Sequence, residues 1–235
     1  MNKRERQQQK KVQKQAAASR NKTFMRYSLF GLAGILGILL LFTLYERMSL
    51  DVPTTIEITE QDQIKGYKSA PMTLVEYSDF QCPSCRAQHL TFDRVWKDIR
   101  RDVKLVYRHY PIVRVHKNAT EAAYYAEAAG KQGKFWEMHD ELFAGQNTWG
   151  GQDDPTATFD SYAEKLKLDM DQMRNDVASD EIKTKVKADI ASAKSAGVSG
   201  TPTMYLDGRL LRNVRDPANL IAAIKEAKAK KEAQK

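Results

Sequence analysis

Two cysteines are the residues best suited to chemistry in this 235-residue chain, which contains no other cysteine. They lie in the sequence Cys82-Pro83-Ser84-Cys85, after an apolar segment that predicts a strand and before one that predicts a helix. At a helix start, unpaired N–H groups and the helix dipole stabilise a thiolate, and Pro83 needs no N–H there. Because two sulfurs at this spacing can close a small, easily reopened ring, the pattern indicates a redox-active disulfide between Cys82 and Cys85.

Two other uses of the cysteines remain open. Together with His89, one helical turn after Cys85, they could form half of a zinc site, but a structural zinc site needs four ligands and the chain has no second CxxC and no HxxxH pattern. They could also be an inert buried pair, although the start of a helix after a strand is usually exposed. We therefore expect no metal and no cofactor, and we expect His109, His116 and His139 to be structural or surface residues.

The segments around the cysteines predict a strand–helix–strand unit. Met72 to Ser78 is rich in β-branched and aromatic residues, a helix-like stretch reaches about Ile99, and Val103 to Tyr110 alternates like a second strand. Such a unit is expected to be right-handed, with parallel strands. A short alternating stretch from Thr55 to Thr59 could add an edge strand.

The rest of the chain predicts helices followed by a hairpin. Residues from about 115 to 196 are predicted to form a helical insertion. The chain then returns to strands at Thr203–Leu206 and Arg209–Leu211, joined by a turn at Asp207-Gly208, and it ends in a helix over about Ala218–Lys230. The predicted fold class is therefore α/β.

All of the net charge of +8 lies in the first 26 residues, which carry nine basic residues and one acidic residue, Glu5. This segment contains almost nothing that a core could bury. Since the remainder of the chain is neutral, its charge does not indicate a nucleic-acid partner. The basic segment is expected to act as a cytoplasmic topology signal, with binding to anionic lipid or RNA as the alternative.

Tyr27 to Tyr45 is a run of nineteen residues without a charge. As a helix it would span roughly 28 Å, close to a hydrocarbon core of about 30 Å. A cleaved signal peptide is the alternative, but the run is longer than usual and Tyr45-Glu46-Arg47-Met48 offers no small-residue cleavage site. We predict a basic cytoplasmic tail (1–26), a transmembrane anchor helix (27–45), a linker (46–67) and an extracytoplasmic domain (68–235).

The sequence resembles the DsbA-like branch of the thioredoxin-fold oxidoreductases over about residues 68–230. Three parts of the sequence carry the resemblance. Residues 75–85 resemble the family's active-site strand and helix start, and residues 108–111 with 133–140 resemble its second strand and helical insert. Residues 198–208 resemble its Gly-Thr-Pro loop and hairpin. It implies a thioredoxin fold with a helical insertion, in a membrane-anchored member of the family.

The resemblance also implies roles for five residues. Cys82 would be the nucleophile, and Cys85 would resolve the mixed disulfide. Pro202 would be a cis proline facing the cysteines, and Thr201 would lend backbone groups to a bound peptide. Glu76 would be a buried acid that relays a proton near Cys85, unless strand alternation turns it to a partly solvated face.

An extracytoplasmic thiol-disulfide oxidoreductase is the function that the resemblance implies. It would oxidise cysteine pairs of exported proteins, and a quinone-linked membrane partner would reoxidise it. Because Pro83-Ser84 stands where strongly oxidising members carry Pro-His, we expect a less oxidising pair. Two alternatives stay open: a reductase or isomerase fed by a transmembrane electron carrier, and a non-catalytic, chaperone-like peptide-binding module.

Overall fold

The structure is a computed structural model that describes residues 31–44 and 53–234. Contacts divide the chain into two units, one ending at Val52 and one beginning at Pro53. Residues 31–44 form helix α1, and no helix among the described residues is long and apolar enough to cross a membrane. Helix α1 covers the middle of the predicted anchor, whose two ends lie outside the described residues, as does the predicted basic tail.

The unit from Pro53 onward contains, in its described residues, one five-stranded mixed sheet in the order β1-β3-β2-β4-β5. Strands β2 and β3 are parallel, whereas the other neighbouring pairs are antiparallel. The elements are β1 (Gln63–Lys65), β2 (Met72–Ser78), α2 (Pro83–Ile99), β3 (Val103–His109), α3 (Ala119–Lys131), α4 (Phe135–Ala144), α5 (Gln146–Trp149), α6 (Thr156–Lys165), α7 (Met170–Ala178), α8 (Asp180–Ser195), β4 (Thr203–Leu206), β5 (Arg209–Leu211) and α9 (Pro217–Ala233).

The predicted strand–helix–strand unit is confirmed as β2–α2–β3. Helix α2 buries an apolar stripe formed by Phe92, Val95 and Ile99 against the sheet, in a cluster with Leu74 and Leu105. Burial of this stripe stabilises the helix far more than helix propensity alone would. The packing places the first turn of α2 at the end of β2, the centre of the sheet.

The helical insertion between β3 and β4 is also confirmed, and it comprises α3 to α8. A buried polar network ties it to the sheet. The His109 ring lies 2.9 Å from the Glu127 carboxylate, and the His109 N–H donates to Asp189 at 3.0 Å. Lys185 lies 2.7 Å from Asp189, so that strand β3 is linked to both α3 and α8. Buried charges that are paired in this way hold a defined register between elements.

The predicted edge strand at Thr55–Thr59 is wrong. The edge position belongs to β1, which pairs with β3. Residues 53–67, predicted as linker, belong to the folded unit: Thr54 N–H donates to the Gly208 carbonyl at 2.8 Å, and buried Asp62 accepts from Arg108 at 2.8 Å. Both short segments alternate similarly, and only the available pairing partner on β3 decides which one becomes a strand.

Candidate active site

Cys82 is the N-cap residue of α2. Its backbone is extended, with φ −76° and ψ 120°, and Pro83 follows as the first helical residue. The Cys82 carbonyl accepts the N–H groups of Cys85 at 3.0 Å and Arg86 at 3.1 Å, which closes the first turn. No backbone N–H caps the Cys82 sulfur with a hydrogen bond, but the nearby N–H groups of Ser84 and Cys85 lower its pKa, as expected for an anion at a helix N-terminus.

The two cysteines lie together but differ in depth, since Cys82 is 8% exposed and Cys85 is fully buried. Both are free thiols. A hydrogen bond from Cys85 is the largest cause that lowers the pKa of Cys82, from 9.0 to about 5, with a further contribution from Thr201 and against the opposing effect of burial. Burial first, and then the neighbouring Cys82, raise the pKa of Cys85 well above 9.0. At neutral pH the outer sulfur is therefore a thiolate and the inner one a thiol.

The loop before β4 faces this pair. The Thr201–Pro202 peptide bond is cis, as the resemblance implied. The Cys82 sulfur lies 3.6 Å from the Thr201 carbonyl oxygen. The Thr201 hydroxyl is buried without a hydrogen-bond partner among the described residues, and the interaction of Thr201 with the two sulfurs contributes a lowering of the pKa of each thiol.

Glu76 is buried on β2, with 3% of its surface exposed, so the partly solvated alternative is wrong. Burial raises its pKa from 4.5 to about 7, and the nearby Ser78 hydroxyl offsets part of this effect. The strand register sets Glu76 opposite Tyr107 on β3. The pKa of Tyr107 is raised by burial and then by the charges of Glu76 and Cys85, which places the acid and the inner thiol each within electrostatic reach of the phenol.

Ser78 and Tyr107 are site residues that the sequence analysis missed. Both hydroxyls are buried and have no hydrogen-bond partner among the described residues. Ser78 was detectable in principle, because it lies two residues after Glu76 and therefore on the same face of the strand. Tyr107 was not, because its position depends on the parallel register.

The helical insertion supports the active-site turn through Gln146, a third residue that the sequence did not indicate. The Gln146 amide, on α5, donates to the carbonyls of Phe80 at 2.6 Å and Cys82 at 3.0 Å. The Gln81 amide reaches back to the Gly150 carbonyl at 2.7 Å. These bonds hold the turn before α2 against the insertion. A lone glutamine in a polar segment carries no sequence signal for such a role.

An open groove of about 720 Å³ begins at Pro202. Its floor includes Met204 and Val214, and its rim carries the exposed cations Arg212 and Arg215. The groove is large enough for an extended peptide segment, and it runs directly from the cis-proline loop. This concave surface beside Pro202 could bind a polypeptide.

The first prediction concerns the reactivity of the two sulfurs. Iodoacetamide should alkylate Cys82 with a pH midpoint near 5, because the thiolate is the reacting species. Peptide mapping after a short exposure at pH 6.5 should find the label on Cys82 and none on Cys85. As the control, Cys82→Ser should react slowly below pH 8. A midpoint near 9, or labelling mainly at Cys85, would contradict the geometry.

The second prediction concerns the buried acid. The folded protein keeps a proton on Glu76 up to about pH 7, whereas the unfolded chain loses it near 4.5, so stability falls as pH rises through this window. The shift corresponds to about 3 kcal/mol at pH 8. Glu76→Gln removes that penalty and should therefore raise the free energy of unfolding at pH 8 by up to this amount, with little change at pH 4.

Urea unfolding of the reduced protein at both pH values measures this difference. Glu60→Gln, at an exposed carboxylate, serves as the matched control and should change stability equally little at pH 4 and pH 8. An equal effect of Glu76→Gln at both pH values would show that the pKa of the carboxyl is not raised in the folded state.

Comparison with known proteins places this geometry in a family. A family model described as thioredoxin matches residues 59–226. Among curated proteins, the chain is 39% identical over 168 residues to Na(+)/H(+) antiporter NhaA 1 of Salinispora arenicola, a match that covers 72% of this chain and 25% of that protein. NhaA 1 of Mycolicibacterium gilvum is 36% identical over 167 residues, covering 70% and 26%. The chain thus spans about a quarter of the length of these relatives.

Solved structures resemble the unit from Pro53 onward. A thioredoxin-like oxidoreductase from Silicibacter pomeroyi is 26% identical with a TM-score of 0.63, covering 73% of this chain and 94% of that one. Pseudomonas aeruginosa DsbA2 is 28% identical with a TM-score of 0.57, covering 73% and 97%. Oxidised BdbD from Bacillus subtilis, at 23% identity, TM-score 0.66 and coverage of 74% and 96%, shares the fold. With the family model spanning most of the folded unit and DsbA-type oxidoreductases among its structural neighbours, the chain belongs to the thioredoxin family.

Proposed function

We propose that this protein is an extracytoplasmic thiol-disulfide oxidoreductase that oxidises cysteine pairs of exported proteins. The observation that carries the proposal is the asymmetry of the two sulfurs. Cys82 has a pKa of about 5 at the N-terminus of α2, while Cys85 is fully buried with a raised pKa. One sulfur can exchange with a substrate while the other is held behind it.

The exchange proceeds in two displacements. A substrate thiolate attacks the Cys82 sulfur of the Cys82–Cys85 disulfide, and the Cys85 sulfur leaves with the electron pair. A second substrate thiolate then attacks its own chain's sulfur in the mixed disulfide, and Cys82 leaves as a thiolate. The substrate dithiol loses two electrons and becomes a disulfide, and the enzyme pair is left reduced.

The proposed direction of exchange rests on the stability of the reduced form. A thiol with a low pKa is a good leaving group, and stabilising its thiolate stabilises the reduced pair, which makes the disulfide more oxidising. The pKa of about 5 at Cys82 therefore supports oxidation of the substrate, although Pro83-Ser84 lacks the histidine of strongly oxidising members. Reoxidation requires an electron acceptor, for which we propose a quinone-linked membrane partner.

Glu76 supplies the proton that the buried sulfur needs. When Cys85 leaves as a thiolate in a site that water reaches poorly, a neutral thiol is strongly preferred because of its raised pKa. A carboxyl with a pKa of about 7 is partly protonated at neutral pH and can give or accept that proton. The Thr201–Pro202 loop and the groove beside it would hold the substrate segment in an extended form.

Two other functions use the same residues differently. In a reductase or isomerase, a transmembrane carrier would keep the pair reduced, and Cys82 would attack substrate disulfides; the Pro83-Ser84 dipeptide leaves this alternative open. In a chaperone-like module, the groove would bind peptides without exchange, and the cysteines would be dispensable.

The third prediction tests the exchange itself. Cys85→Ala removes the sulfur that would displace a bound substrate from Cys82. Mixed disulfides that form when the Cys82 thiolate attacks a substrate disulfide should therefore accumulate and be visible on non-reducing gels. The matched control, Cys82→Ser with Cys85→Ala, should form no adducts. Absence of adducts with the single variant would refute exchange and favour the non-catalytic module.

The reduction potential of the pair then separates oxidase from reductase. Values for this superfamily run from about −120 mV for the strongly oxidising DsbA to about −270 mV for thioredoxin. We expect this protein to lie toward the oxidising end, above about −200 mV, the range occupied by oxidants and isomerases. A value near that of thioredoxin would overturn the oxidase and support the reductase.

We also propose that residues 27–45 anchor the protein in the cell membrane, with residues 1–26 in the cytoplasm. The uncharged run and the nine basic residues before it support this orientation. It would place the cysteine pair where disulfides persist.

The fourth prediction follows from this orientation. The full chain should stay in carbonate-washed membranes, and external protease should digest the folded unit in intact cells. A variant with Leu36→Lys and Leu40→Lys should be released from the membrane, since charges at the centre of a span are costly. Retention of that variant, or protection of the folded unit from external protease, would contradict the proposed anchor.

A further inference from the structure

Two histidines and an aspartate converge between α2 and α4. The ligand atoms of His89, His139 and Asp140 all lie within 4.8 Å of one another. The His139 Nδ1 is 2.8 Å from the Asp140 carboxylate, and the His89 Nδ1 is 3.9 Å from the same oxygen. The two rings meet edge to face, with centroids 5.1 Å apart.

The spacing suits a tetrahedral metal ion. With metal–ligand bonds of about 2.0–2.1 Å, neighbouring ligand atoms lie roughly 3.3 Å apart. The distances of 2.8 Å and 3.9 Å from the Asp140 oxygen to the two ring nitrogens lie on either side of this value. Small side-chain rotations would therefore bring the three atoms to tetrahedral spacing. Two imidazoles and one carboxylate are a donor set that Zn²⁺ and related divalent transition metals prefer.

The surroundings hold the ligands in position. The His89 Nε2 lies 3.4 Å from the Asp93 carboxylate, which leaves its Nδ1 directed toward Asp140. Histidine ligands of metals usually have such a carboxylate on the second ring nitrogen. The His89 ring is stacked on Phe143 at 5.1 Å, and buried His139 packs edge-on against Tyr107 at 5.0 Å. Asp140 is about half exposed, which leaves solvent access for an ion and a bound water.

We propose that His89, His139 and Asp140 form a binding site for a divalent transition metal of the zinc class, with Asp93 orienting His89. Such an ion would tie the active-site helix α2 to helix α4 of the insertion. The site differs from the zinc half-site considered for the cysteines, because its ligands are contributed by two helices and exclude both sulfurs. It also does not depend on the proposed exchange activity.

Two features of the surrounding charge matter for affinity. Lys65 acts electrostatically on both rings and opposes a bound cation, whereas Asp93 and Asp140 favour it.

The buried group of His109, Glu127 and Asp189 offers similar ligand atoms elsewhere in the described part of the chain. There the Lys185 ammonium already lies 2.7 Å from Asp189 and supplies the positive charge, so no ion is needed.

The fifth prediction is tested by calorimetric titration of tag-free full-length protein with ZnCl₂. Every sample carries Cys82→Ser and Cys85→Ser, so that thiolates cannot bind the metal. We expect one Zn²⁺ per chain with a micromolar or lower Kd, and a thermal midpoint that rises with zinc concentration. Both His89→Gln and Asp140→Asn should weaken binding at least tenfold, and Asp93→Asn should weaken it about 10- to 100-fold.

Asp98→Asn, at an exposed acid elsewhere on α2, is the matched control and should bind zinc like the parent. Lys65→Gln should bind it more tightly. Visible spectra with Co²⁺ should show four-coordinate absorption that is lost in His89→Gln. Circular dichroism without metal confirms that each variant is folded. Two results would overturn the site. One is the absence of one-to-one binding at a zinc concentration about 100-fold above a micromolar Kd. The other is equal zinc affinity in the parent and in folded His89→Gln and Asp140→Asn variants.

Discussion

The antiparallel pairing of β2 with β4 is the contact on which the candidate site depends. It sets Tyr77 opposite Thr203, so the loop that precedes β4 reaches the point where β2 ends and α2 begins. The Cys82 sulfur therefore faces the Thr201 carbonyl oxygen across 3.6 Å. Without this pairing the cysteines would still begin a helix, but the Thr201–Pro202 loop would not face Cys82.

Depth below the surface separates the roles of two chemically identical side chains. Cys82 lies near the protein surface, and Cys85, one helical turn later, lies in the interior. Because β2 lies in the middle of the sheet, Glu76 is buried as well. Loss of solvation raises the pKa of the inner thiol and of the carboxyl, whereas hydrogen bonds at the helix start lower that of the outer thiol.

The elements that were predicted correctly carry strong local signals. The β2–α2–β3 unit has apolar strands and a helix with one apolar face, and the β4–β5 hairpin has its turn at Asp207-Gly208. The edge strand was misplaced at Thr55–Thr59 because a segment of so few residues becomes a strand only if a partner is free to pair with it. The four-residue helix α5, with the Gln146 amide that holds the active-site turn, is likewise too short for a periodic pattern.

The sequence by itself determined the chemistry that is available: two cysteines, their spacing, and Pro83 at a helix start. These features act within one turn of chain, so neighbouring residues suffice to define them. Only the tertiary structure decided that Glu76 is buried beside Tyr107, that Thr201 faces Cys82, and that His89 meets a histidine and an aspartate from another helix. The physical reason is that burial and convergence depend on strand register and helix packing between distant segments, and these in turn set the solvation that controls each pKa.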